Sequence, residues 1–198
     1  MDSGCLRLKQ QSNKMDKQQE LNDLFSLFHD FEITLLTYQK NTLNLTITIP
    51  WGEVWNDWNY QIRLELAGCD FFQCDYSEFI DGDNLSSDRK TIDKTTNDPS
   101  TISDLGLEIQ SHTYAPPNKY AFKCNSSRNC AGGLLTFSAD DYKLFNAEGV
   151  PIDLTQMNKW STDWWEKIRK MWDENEQRLA QNTLQKSERK WWQKLFGC

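Results

Sequence analysis

Only two histidines, His29 and His112, occur in the 198 residues of this chain. Histidine-rich metal centres and the phosphohydrolase kind of His-Asp site both need several imidazoles, so that inventory excludes them. No apolar stretch near the N-terminus has the length of a signal peptide, nor of a membrane span of about 20 residues. The six cysteines, Cys5, Cys69, Cys74, Cys124, Cys130 and Cys198, are therefore expected to be reduced thiols. A cytoplasmic location is the matching expectation, and the formal glycosylation sequons at Asn44, Asn84 and Asn125 then carry no weight.

Basic residues are also short, with 22 Lys and Arg against 29 Asp and Glu for a net charge of −7. The shortage is local. Residues 21–154 hold 20 acidic and 9 basic side chains, a balance of −11, whereas residues 155–198 hold 6 and 9, a balance of +3. An acidic body argues against nucleic acid as ligand, because a phosphate backbone is met by clustered Lys and Arg. It suits a basic protein partner, since complementary fields steer association.

What the chain does have is aromatic bulk and alternation. Aromatic residues make up 13%, nine of them Trp, so a few large side chains must supply much of the core. Leu43, Leu45, Ile47 and Ile49 alternate with Asn44, Thr46 and Thr48, the two-residue period of a half-buried strand. Residues 33–38 pair naturally with that strand across a short polar connection. Runs at 60–66 and 71–76 meet at Gly68, which completes an expected four-stranded antiparallel meander. Residues 77–103 are dominated by Asp, Ser, Thr, Asn and Lys and read as a mobile acidic insert. Alternation returns in Leu105, Leu107 and Ile109, in Tyr120, Phe122 and Cys124, in Leu135, Phe137 and Ala139, and around 142–145. Val150-Pro151-Ile152 follows a turn signal at Ala147-Glu148-Gly149.

The fold class expected is α+β, mostly antiparallel β: a sandwich or partly open barrel of about eight strands. Asp153 or Thr155 can cap a C-terminal helix whose apolar stripe runs through Trp160, Trp164, Ile168, Met171 and Leu179. That amphipathic helix is expected to pack on the sheet, with a separate aromatic cluster near Trp191 and Trp192. Leu21, Leu24, Phe25, Leu27 and Phe28 form a helical or extended lead-in. Residues 1–20 read as an extension or disordered tail, 21–154 as the β-rich domain and 155–198 as a Trp-rich helical tail.

Asp30 can hold the His29 ring in one tautomer, as an orienting carboxylate does in a catalytic pair. The plainer reading has both residues satisfying backbone groups at the start of the first strand, and no Ser or Cys carries an elbow signature. Four thiols can in principle enclose zinc, but the intervals Cys69–Cys74 and Cys124–Cys130 exceed the usual knuckle spacing. Cys74 and Cys124 fall on inward strand positions instead, where thiols behave as small apolar residues. No metal and no cofactor is expected. Asp81-Gly82-Asp83-Asn84, with Asp88 beyond, lacks the ligand order of a calcium loop. Trp51, Trp55 and Trp58 lie three or four apart and read either as a lid on the β-core or as a platform for sugar or protein.

Phe28-His29-Asp30 with Ile33 beyond, the alternating hairpin, the Gly132–Phe137 strand and the Trp-rich helix resemble bacterial small β-domain proteins of unknown function. Some of these are similar to immunity proteins of polymorphic toxin systems. The resemblance implies a cytoplasmic protein that neutralises a toxin by occlusion. The function expected is thus non-catalytic binding of a basic protein through Trp51, Trp55, Trp58, Asp81, Asp83 and Asp88. The alternatives are a carbohydrate-binding module using exposed Trp residues and an enzyme using His29 and Asp30.

Overall fold

The computed structural model describes residues 17–49, 61–80, 90–128 and 130–196, the last helix by its backbone alone beyond residue 179. The chain divides into two compact units, Met1–Leu154 and Thr155–Cys198. The first opens with helix α1 (17–26). Strands β1 (Glu32–Gln39), β2 (Thr42–Thr48), β3 (Gln61–Ala67), β4 (Phe72–Phe79) and β5 (Thr91–Thr96) follow. A short helix α2 (Pro99–Asp104) leads to β6 (Leu107–Ala115), β7 (Lys119–Ser126), β8 (Cys130–Ser138), β9 (Asp141–Asn146) and β10 (Pro151–Ile152). All ten strands form one antiparallel sheet in the order β10-β9-β3-β2-β1-β6-β7-β8-β4-β5. Among the described residues the sheet does not close: β10 and β5 are its edges.

Two five-stranded halves meet at β1 and β6, which share only the pairs Glu32↔Glu108 and Ile33↔Leu107. That pairing stops early because α2 takes over the edge of β1, where the Leu36 N–H donates to Ser103 Oγ at 2.8 Å. Helix α2 can form there because Asp98 caps it, accepting the Thr101 N–H at 2.9 Å, with Pro99 preset for the first turn. Hydroxyls of Thr101 and Ser100 also donate to Asp98 and hold its carboxyl down at about 2. A covered edge cannot recruit a stray strand.

The central strands turn most of their apolar residues to one face. Leu43, Leu45 and Ile47 on β2 stand directly opposite Leu66, Leu64 and Ile62 on β3, and all six are fully buried. In the other half, Tyr120 opposes Phe137 and Phe122 opposes Leu135. Helix α1 places Leu21, Leu24 and Phe25 on one side, three or four apart, and buries all of them. The Phe25 ring meets Tyr120, Phe122 and Phe137 edge-on, with centroids 5.0, 5.0 and 5.7 Å away. The polar side of α1 is tied down as well: Lys17 to Asp141 at 3.3 Å, Gln18 to Tyr114 Oη at 3.0 Å, and Asn22 to His112 Nε2 at 3.1 Å. His112 is thus a packing residue, and burial lowers its pKa.

Two expectations need correction. The meander stops at three strands, because β3 pairs with β2 and β9 while β4 pairs with β5 and β8. The connection between them turns at Gly68 (φ +70), where a Cβ would come within 2.7 Å of Asp140 Oδ2, and it runs beside the β8–β9 connection. The Asp140 N–H donates to Ala67 O at 2.9 Å, and Ser138 Oγ accepts from the Asp70 and Phe71 N–H groups. Second, residues 77–103 contain the end of β4, all of β5 and all but the last residue of α2. Strand β5 has no buried residue and so shows no alternation of apolar residues. The described residues hold ten strands beside the eight or so expected, since β5 and the two-residue β10 carry little apolar signal.

The described part of the second unit belongs to one helix, α3 (Leu154–Phe196), of 43 residues. Along it Met157 is buried, Trp160, Trp164 and Ile168 of the expected stripe are half-buried, and Met171 and Leu179 are exposed. Among the described residues, no helix is long and apolar enough to cross a membrane.

If α1 is the plug of the sheet, Phe25→Ala should lower unfolding stability by about 3–5 kcal/mol in urea titrations. Leu35→Ala, removing a side chain that a bulge in β1 leaves half exposed, should cost less than about 1 kcal/mol. Equal losses would remove the helix from its central place.

Candidate functional site

Trp51, Trp55 and Trp58 lie between β2 and β3, and Asp81, Asp83 and Asp88 between β4 and β5; both segments are outside the described residues. The stems that carry them are described. Thr48 stands opposite Gln61, and the Ile80 N–H donates to Lys90 O at 3.0 Å.

His29 and Asp30 do meet, with Nδ1 2.8 Å from Oδ2. They form the turn between α1 and β1. Asp30 sits at φ +66, its N–H donates to Ile109 O at 2.7 Å, and the Ile109 N–H returns to Phe31 O at 2.9 Å. The His29 side chain is more than half exposed. The pair thus lies in the turn that leads into β1.

An open groove of about 640 Å³ lies on the outer face of β7-β8-β4-β5. The pleat explains its lining. Cys74 points inward, so Gln73, Asp75 and Ser77 on β4 point outward. Register then sets Thr95 opposite Asp75 and Asp93 opposite Ser77 on β5. Across β8, Leu134 stands between Asp75 and Lys123. The two carboxylates are held from below by their neighbours. Thr95 Oγ1 donates to Asp75 Oδ1 at 2.7 Å, Gln73 Nε2 donates to the same oxygen at 2.9 Å, and Ser77 Oγ donates to Asp93 Oδ1 at 2.7 Å. Lys94 pairs with Glu78, and that contact raises the lysine pKa.

Gly132 and Gly133 form the floor. A bulge in β8 falls between the pairs Gly133↔Tyr76 and Cys130↔Glu78, and Gly132 adopts φ +111 within it. A Cβ on Gly132 would lie 2.3 Å from Cys124 O, and one on Gly133 would lie 2.9 Å from Asp75 O and 3.3 Å from Cys74 Sγ. Beneath this floor Cys74, Cys124 and Cys130 are buried as free thiols, as the inward positions of Cys74 and Cys124 require. Burial pushes the Cys74 thiol up to about 12 and raises Cys124 as well. Cys69, buried near Ser138, rises to about 11 for the same reason. Among the described residues no three His, Cys, Asp or Glu side chains are placed to hold a metal ion.

Asp75, Ser77, Asp93 and Thr95 were not among the residues that the sequence marked. The alternation of Phe72, Cys74 and Tyr76 with Gln73, Asp75 and Ser77 is the signal that sets Asp75 and Ser77 outward, whereas Asp93 and Thr95 carry none.

Gly132→Ala should destabilise the fold by on the order of 2 kcal/mol or more, because alanine is strained at this φ and meets a backbone oxygen. Urea unfolding checks it, with Gly149→Ala, where nothing lies within 4 Å, as the milder comparison. The buried thiols set an alkaline limit. Their folded pKa values lie above the ordinary thiol value of 9.0, so the folded state holds protons that the unfolded chain releases. Stability should be level up to about pH 9 and fall between there and about pH 12, in melts run under reducing conditions. No family model matches this chain, and no curated protein or solved structure matches it.

Proposed function

We propose that this protein is a non-catalytic binding protein that occludes a basic protein face with the acidic outer surface of its β4–β5 hairpin. The observation that carries the reading is the pair Asp75 and Asp93, each fixed by a hydroxyl at 2.7 Å at the exposed margin of the sheet. Carboxylates already held in place lose little freedom on meeting a cation, and that lowers the cost of association. The charge of the whole body supports the same partner, with −11 over residues 21–154. Asp81, Asp83 and Asp88 extend the acidic run in the sequence joining the two strands. A toxin-neutralising immunity factor is the specific form we propose, because occlusion of a basic enzyme face needs no catalytic group of its own.

Immobilised protein should retain a basic partner from lysate of its own organism at about 0.05 M salt and release it at about 0.5 M, where screening is nearly complete within a few ångströms. The Asp75→Asn/Asp93→Asn double variant should weaken that partner at least about tenfold, a loss of about 1.4 kcal/mol. Undiminished, salt-independent retention by the double variant would remove the reading.

A further inference from the structure

Strand β5 ends the sheet, and among the described residues it pairs with β4 alone. Its first five residues are exposed. The hydrogen bond from the Ile80 N–H to Lys90 O fixes the parity of the β4–β5 ladder. In an antiparallel pair, hydrogen-bonded and non-hydrogen-bonded residue pairs alternate. Ile92, Lys94 and Thr96 therefore direct their backbone groups to β4, whereas Thr91, Asp93 and Thr95 direct theirs to the free edge. The same three residues carry the outward side chains, next to Asp75 and Ser77. The free edge thus presents a row of backbone donors and acceptors with the Asp93 carboxylate among them.

We propose that this edge takes an extended basic segment of the partner as an eleventh, antiparallel strand. The inference rests on the reading of a basic partner above and names how that partner is held. An added strand would exchange backbone bonds with Thr91, Asp93 and Thr95. Its residue opposite Asp93 would lie on the same face and within direct cross-strand reach, so Lys or Arg there completes an ion pair. On the other face Ile92, half exposed, would meet an apolar side chain.

A second copy of the chain fits this edge poorly. Two-fold antiparallel pairing keeps outward residues opposite outward residues, so the pairing must be centred on a residue. The two registers with the greatest overlap centre on Asp93 and on Lys94. The first sets two carboxylates opposite each other, the second two ammonium groups, and like charges in that position are destabilising. The charge pattern that resists self-pairing accepts a basic strand.

The test uses a fluorescein-labelled Lys-Val-Lys-Val-Lys-Val peptide, its Glu-Val counterpart, and a version methylated on the backbone nitrogens of its lysines, all titrated against the whole protein by anisotropy. The Lys-Val peptide should bind, the Glu-Val peptide should bind at least tenfold more weakly, and methylation, which leaves every charge in place, should cost at least tenfold. Thr95→Pro, which removes an outward N–H but no bond to β4, should cause a similar loss with an unchanged circular dichroism spectrum. Should that variant misfold, the methylated peptide still decides. Equal binding of the methylated and parent peptides, with both weakened by Asp93→Asn, would overturn strand addition and leave the acidic surface standing. Equal binding of the Lys-Val and Glu-Val peptides, or none by either, would overturn both.

Discussion

A sheet with one apolar face must bury that face, and in this protein the ring of Phe25 and the helix that carries it do much of that work. Tyr120, Phe122 and Phe137 converge on Phe25 edge-on from two neighbouring strands, a geometry in which ring edges meet ring faces with favourable charge distribution. Tyr120 gives up something for this place, since its buried hydroxyl has no partner among the described residues. Burial pushes its pKa up to about 12. The polar side of α1 reaches β6 through His112 and β9 through Asp141. One short helix therefore ties together strands from both halves of the sheet.

The halves are joined by irregularity. Bulges between Ile33 and Leu35 and between Ile109 and Ser111 flank the short β1–β6 junction, and bulges increase twist and bend a strand. The β1 bulge also inverts a simple alternation, so that Leu35 is exposed and Leu36 buried. At the other crossing, Gly68 and Asp140 lie too close for any Cβ at position 68. A third irregularity, at Gly132 and Gly133, brings β8 close to both β4 and β7 and leaves the shallow floor above which Asp75 and Asp93 stand.

The candidate surface follows from this arrangement. Hydroxyls from Ser77 and Thr95 reach carboxylates 16 and 20 residues away only because β4 and β5 pair in one register. The edge strand is guarded against its own copy by alternating Asp93 and Lys94, and its outward backbone groups share a side with the acidic row. Fold and charge thus point to one margin of the sheet.

Alternation in the sequence determined which residues face the core: Leu43, Leu45, Ile47, Tyr120, Phe122, Cys74 and Cys124 are all buried as their spacing requires. It determined the antiparallel β class, the C-terminal helix and the acidic body, because side-chain period and charge are local properties of the chain. It could not determine that β3 and β4 part company, since period two assigns a face and never a neighbour. Nor could it reveal β5, whose exposed residues leave no apolar trace, or the meeting of Asp75 with Thr95 and of Asp93 with Ser77. Those depend on strand order and register, which are set by packing among segments far apart in the chain, and only the tertiary structure decided them.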